Sequence, residues 1–164
     1  MLFAKGAAGV AGLGGSYFLF KSATANSGPP NADMANFTHV VHKYRQGPFL
    51  CAAAELCGLR SEMEDALHMS RGSQGTYFFG VFDGHGGDKC SAYAATAFPK
   101  EVLSLRPPIK APALVAAAKK IDTLACQKTS DGCCAAFAVV WPDPQGTMNV
   151  TVGNIGDSRV FGIC

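Results

Sequence analysis

Thr76-Tyr77-Phe78-Phe79-Gly80-Val81-Phe82 runs directly into Asp83-Gly84-His85-Gly86-Gly87. The first stretch is dense in aromatic and β-branched residues, which suit a pleated and buried surface, and it predicts the firmest strand in the chain. The second stretch is rich in turn formers, so the strand is expected to break off sharply after Phe82. What lies on either side of this junction sets the fold class.

Upstream, residues 66–70 predict a short strand closed by the turn-rich Arg71-Gly72-Ser73-Gln74-Gly75, and residues 49–55 read as a buried strand with Gly58 after it. Residues 34–46 read equally as a short helix or a leader coil. Downstream, Asp88 is placed to cap a helix whose apolar face holds Tyr93, Ala97 and Phe98. Pro99 must end or kink that helix, or begin a further turn. Beyond Pro107-Pro108, the residues Leu114, Ala118, Ile121 and Ala125 recur at helical spacing. Residues 133–141 and 148–152 predict two strands around a Pro142-Asp143-Pro144-Gln145-Gly146 turn, and residues 159–164 begin another. Strands, then two helices, then strands favour α+β over an alternating α/β sheet.

Composition narrows the function classes. The 164 residues are 48% hydrophobic and 16% charged, which excludes disorder as a description of the whole chain. Lys5 and Lys21 account for the net charge of +2, and residues 33–164 balance acid against base. A neutral body has no electrostatic footprint for nucleic acid, and that partner class is dropped. Seven cysteines show neither CxxC nor zinc spacing, and Cys133-Cys134 reads as two small buried hydrophobes. A reduced intracellular protein, cytoplasmic by default, is the expectation.

Residues 1–32 are set apart from residues 33–164. An uncharged run lies between Lys5 and Lys21, glycines weaken any helix there, and Gly28-Pro29-Pro30 closes the stretch. A secretory signal or membrane anchor, an organelle presequence and a floppy tail all remain open.

The acids are unevenly placed. Glu62, Glu64, Asp65, Asp83 and Asp88 put five of the twelve within 27 residues, at both ends of the best strand pair. Taken singly, each reads as a turn or a solvated loop; together with Arg60 and His85 they resemble a phosphate site built on a hard metal. Covalent routes lack a candidate. No cysteine has an arginine six positions on, His85 stands where a second aspartate of an aspartyl-phosphate enzyme would be, and a P-loop is absent. Gly156-Asp157-Ser158-Arg159 is not a nucleophile elbow either. Attack by metal-activated water survives.

Four motifs now stand in order: Arg60-Ser61-Glu62-Met63-Glu64-Asp65-Ala66, Phe78 through Gly87, Gly132-Cys133-Cys134-Ala135, and Val152-Gly153-Asn154-Ile155-Gly156-Asp157-Ser158-Arg159. Together they resemble the PPM family, the metal-dependent type 2C serine/threonine protein phosphatases. The resemblance implies a four-layer α-β-β-α fold, of which this chain carries the N-terminal half: a β-sandwich flanked by helices, with two Mg²⁺ or Mn²⁺ ions at one end. By match, Asp83 bridges the ions, Gly84 lends its carbonyl, and Glu64 and Asp65 hold waters or the second ion. Arg60 grips the substrate phosphate, and His85 protonates the leaving seryl or threonyl oxygen. A guanidinium suits phosphate through paired hydrogen bonds, and an imidazole suits proton donation near neutral pH. His39, His42 and His68 read as structural or exposed, and Asp157 and Arg159 as fixing a turn.

Two departures qualify the match. Cys134 stands where the family has threonine or serine, and nothing after Asp83 matches the aspartates of the family's second half. The expectation is therefore a truncated, monomeric fragment of a phosphatase acting on phosphoserine and phosphothreonine proteins. The alternative is a pseudophosphatase or short isoform that binds partners without turnover. Membrane association through residues 1–32 stays open.

Overall fold

The computed structural model describes residues 8–13, 16–21, 39–46, 49–57 and 60–163. In chain order the elements are β1 (Ala8–Leu13), β2 (Ser16–Lys21), β3 (His39–Gln46), β4 (Phe49–Leu56), β5 (Ala66–Arg71) and β6 (Tyr77–His85). They continue with α1 (Lys89–Leu103), α2 (Ala111–Cys126), β7 (Gly132–Pro142), β8 (Met148–Ile155) and β9 (Val160–Ile163). The class is α+β.

The aromatic run at 76–82 forms the inner strand β6 of an antiparallel sheet ordered β5-β6-β7-β8. Alternation along β6 and β7 sorts their side chains to two faces. Phe78 and Phe82 join Phe137 and Val139 in a core shared with Ala94, Phe98 and Val102 of α1 and Leu114, Ala117 and Ile121 of α2. Phe98 is the centre of that layer, with its ring 4.9 Å from Phe137 and 5.8 Å from Phe78. Tyr77, Phe79, Val81, Ala138 and Val140 point the other way and meet Phe49 and Cys51 of β4. Helices, four-stranded sheet and five-stranded sheet therefore stack as three layers.

Local details follow from the chain. The β7–β8 connection is held by Asp143, whose Oδ1 accepts from the amides of Gln145 and Thr147 at 3.0 and 2.8 Å. Gly146 there has φ +86, a conformation that favours glycine. α1 does not stop at Pro99 but runs through it to Leu103. Proline costs one backbone hydrogen bond, and the last turn is held by Val102, which is fully buried in the helix-side core. The buried face of α1 is centred on Ala94, Phe98 and Val102, with Tyr93 and Ala97 on its flank.

Other differences from expectation have a common cause in long-range pairing. β6 continues past Phe82 to His85 because Cys134, Cys133 and Gly132 pair with Asp83, Gly84 and His85. His39–Gln46 is a strand, paired along its length with β4, rather than a helix or coil. The segment set apart at 1–32 supplies β1 and β2, which lie between β4 and β9 in the order β3-β4-β1-β2-β9. Tyr17, Phe18 and Phe20 are favourable strand residues, and glycines that discourage a helix do not forbid pairing. The remainder of that segment, including Gly28-Pro29-Pro30, falls outside the described residues. Of the described helices, neither is long and apolar enough to cross a membrane.

Candidate active site

The junction between Phe82 and Asp83 lies at one end of the β5–β6 pair. Ala66 pairs with Phe82, so Asp65 stands one step beyond the ladder, across from Asp83. Gly84 is buried where β6 passes beneath α1. A Cβ at this position would run into the Glu64 carbonyl and sit 2.8 Å from Ser91 Oγ. The Ser91 hydroxyl in turn bonds the Glu64 carbonyl and lies 2.9 Å from the Asp88 carbonyl. The bare glycine thus lets the backbone of Glu64, the strand carrying Asp83 and the first turn of α1 close on one another.

Asp83 and Gly84 point to opposite faces. Asp83 shares the inter-sheet side with its partner Cys134, and Gly84 shares the helix side with Cys133. Burial first, then the carboxylates of Asp157 and Asp83, push the Cys134 thiol up, against a backbone hydrogen bond at Asp157 that works the other way. Cys134 is therefore a neutral thiol between two acids. Burial, reinforced by Cys90, pushes the Cys133 thiol up strongly. Both cysteines are only partly buried, and they share neither a face nor an environment, unlike the pair of core hydrophobes expected.

Arg60 is half-exposed and reaches Glu64 Oε2 at 3.4 Å. An exposed pair of this kind contributes little to stability, and much of the guanidinium remains open to a further anion. His85 is exposed at the end of β6, its ring against Gly132, where any side chain would collide with it. The helix that follows is not capped by Asp88, which makes no side-chain cap bond. Its first amide, Lys89 N, instead donates to Asp131 Oδ2 at 3.1 Å. Asp131 also crowds Gly87, which has φ +140.

The structure thus brings Glu64, Asp65, Asp83 and Gly84 to one end of β5 and β6, with Arg60 tied to Glu64 and His85 beyond Gly84. Ser91, Asp131 and Asp157 were not among the residues expected at this end. Ser91 had a local signal, as a polar residue on an otherwise apolar helix face. Asp131 and Asp157 had none, because their neighbours come from 42 residues away in one case and across β7 in the other.

As to a metal, the donors are of the right kind, since carboxylates and a backbone carbonyl are what hard divalent ions accept. They are not sufficient in number. Among the described residues, no three His, Cys, Asp or Glu side chains gather closely enough to hold an ion.

Residues 49–161 match the family model described as protein phosphatase 2C. The chain belongs to the protein phosphatase 2C family, whose members are metal-dependent hydrolases of phosphoproteins.

Proposed function

We propose that this chain takes part in the metal-dependent hydrolysis of phosphoserine and phosphothreonine in proteins. The observation that carries the reading is the close approach at Gly84, which brings the backbone of Glu64 against the strand of Asp83, with Asp65 across from Asp83 in the register. Asp83, the Gly84 carbonyl, Glu64 and Asp65 are the residues that would hold Mg²⁺ or Mn²⁺, of which the complete family site takes two. What such cations supply when bound is an acidified water and relief of the phosphate charge. Arg60 binds a phosphate oxygen through the part of its guanidinium that Glu64 leaves open, and His85 delivers a proton to the departing hydroxyl oxygen. The described cysteines are thiols, which supports an intracellular compartment.

The test is Mn²⁺ titration of the chain alongside turnover of a phosphothreonine peptide. We expect saturable Mn²⁺ binding that Asp83→Asn weakens by at least about tenfold, and phosphate release that a chelator abolishes. Turnover that survives the chelator would overturn the reading. A second reading, a binding module without turnover, is favoured by the incomplete donor set. A folded chain that neither binds Mn²⁺ nor releases phosphate would select it.

A further inference from the structure

A cavity of about 590 Å³ lies between α1, α2 and the helix-facing side of β6 and β7. Its wall is mostly apolar, but Cys90 of α1 and Cys133 of β7 both line it, and His85 and Asp131 stand in the same lining. The two sulfurs are in contact, with the Cys90 thiol donating to Cys133 Sγ at 3.5 Å. Neither thiol has a part in the chemistry assigned to the carboxylates, Arg60 and His85.

We propose that Cys90 and Cys133 are a redox site that closes to a reversible disulfide in the presence of a peroxide. Bonded sulfurs sit about 2.05 Å apart, so the pair needs only a small approach, of the size that side-chain torsions provide. The cavity brings a small oxidant to both sulfurs. Cys134, next in sequence, does not compete, because alternation along β7 turns it to the opposite face, beside Asp83 and Asp157. Cys126, at the exposed end of α2, also lines the cavity, but the contact at Cys90 belongs to Cys133.

The chemistry balances with one peroxide per disulfide. One sulfur attacks a peroxide oxygen as its thiolate and the O–O bond breaks; the proton it gave up joins the departing hydroxide, leaving a sulfenic acid and one water. The second thiol attacks that sulfur, the S–O bond breaks, and its oxygen leaves as a second water with the remaining proton. The sulfurs lose two electrons and the peroxide gains them. A dithiol reductant returns both thiols by exchange.

The position of the bond gives it a consequence. Cys133 pairs with Gly84, Gly132 pairs with His85, and Cys90 is the second residue of α1. A bond between residues 43 apart in sequence therefore fastens both ends of the His85–Gly87 loop. The bond itself stands independently of the phosphatase reading; only the slowing of turnover expected from a fastened His85 loop rests on that reading.

The test treats the full chain with hydrogen peroxide, blocks remaining thiols with iodoacetamide, and maps peptides without reduction. The expected result is a Cys90–Cys133 cross-linked peptide that dithiothreitol removes. Cys133→Ala should leave Cys90 alkylated and no cross-link. Recovery of Cys90 and Cys133 both alkylated, while Cys126 is oxidised, would overturn the proposal, as would a link joining either of them to another cysteine. Because the map is made on the unaltered chain, a variant that fails to fold does not decide the outcome. Turnover assayed on the same oxidised sample separates the failures: a mapped bond with unchanged turnover refutes the consequence alone.

Discussion

His68 sits half-buried on β5, with Nε2 2.8 Å from Ser70 Oγ and its ring edge-on to Phe78 at 6.2 Å. Burial, and then the charge of Lys100, lower its pKa below the ordinary 6.5. The folded chain prefers the neutral ring, so the unfolded chain binds the extra proton as pH falls below about 6.5. The stabilisation is complete above that pH and is lost as pH drops through the lower, folded value. Urea midpoints should hold steady above pH 6.5 and decline below it, and His68→Gln should flatten the upper part of that decline. An identical acid slope in the variant would remove His68 as its source. The sequence offered only that this histidine was structural or exposed, because its environment comes from α1 and β6. Asp83, Gly84, Glu64 and Asp65 were legible one by one, since their motifs are local and contiguous. The neighbours of Cys134 were not, for alternation sends adjacent residues to different company.

At the scale of elements, the seating of α1 on β6 depends on Gly84. Alanine there would press a methyl group into the Glu64 carbonyl and the Ser91 hydroxyl. Backbone cannot yield as a flexible side chain does, so Gly84→Ala should destabilise the fold by about 1–3 kcal/mol. The thermal midpoint measures it, and a variant as stable as the parent would mean the strand and helix are not so closely docked. Both helices and the strands β4 to β8 were readable from apolar periodicity and turn residues, which are properties of short windows. Their ends were less so. β6 gains its last residues from β7, and α1 passes Pro99 because Val102 is buried beyond it, and neither fact is present in the local sequence. For the same reason β3 was not recognisable: its support is the ladder to β4.

At the scale of the molecule, three layers are described, and β8 is an edge of the four-stranded sheet. Val152 and Ile155 on that strand are 51% and 44% exposed, and Phe161 on β9 is 42% exposed. Apolar side chains on an open strand edge favour pairing between chains. The chain should therefore self-associate as its concentration rises, and Val152→Lys should suppress this, as followed by light scattering. Equal scattering from the two proteins would place the association elsewhere. The α+β class and the family were legible from element order and four motifs; the placing of Ala8–Leu13 and Ser16–Lys21 inside the five-stranded sheet was not, since only non-local ladders define it.

The carboxylate that caps α1 carries one more consequence. The loop of Asp83 through Gly87 and the helix behind it are made early, whereas Asp131, which accepts from Lys89 N, is 42 residues later. During synthesis the loop leaves the ribosome with the start of its helix unsatisfied, and it stays so until β7 emerges. The part of the chain richest in chemistry is thus fastened only once β7 has been made.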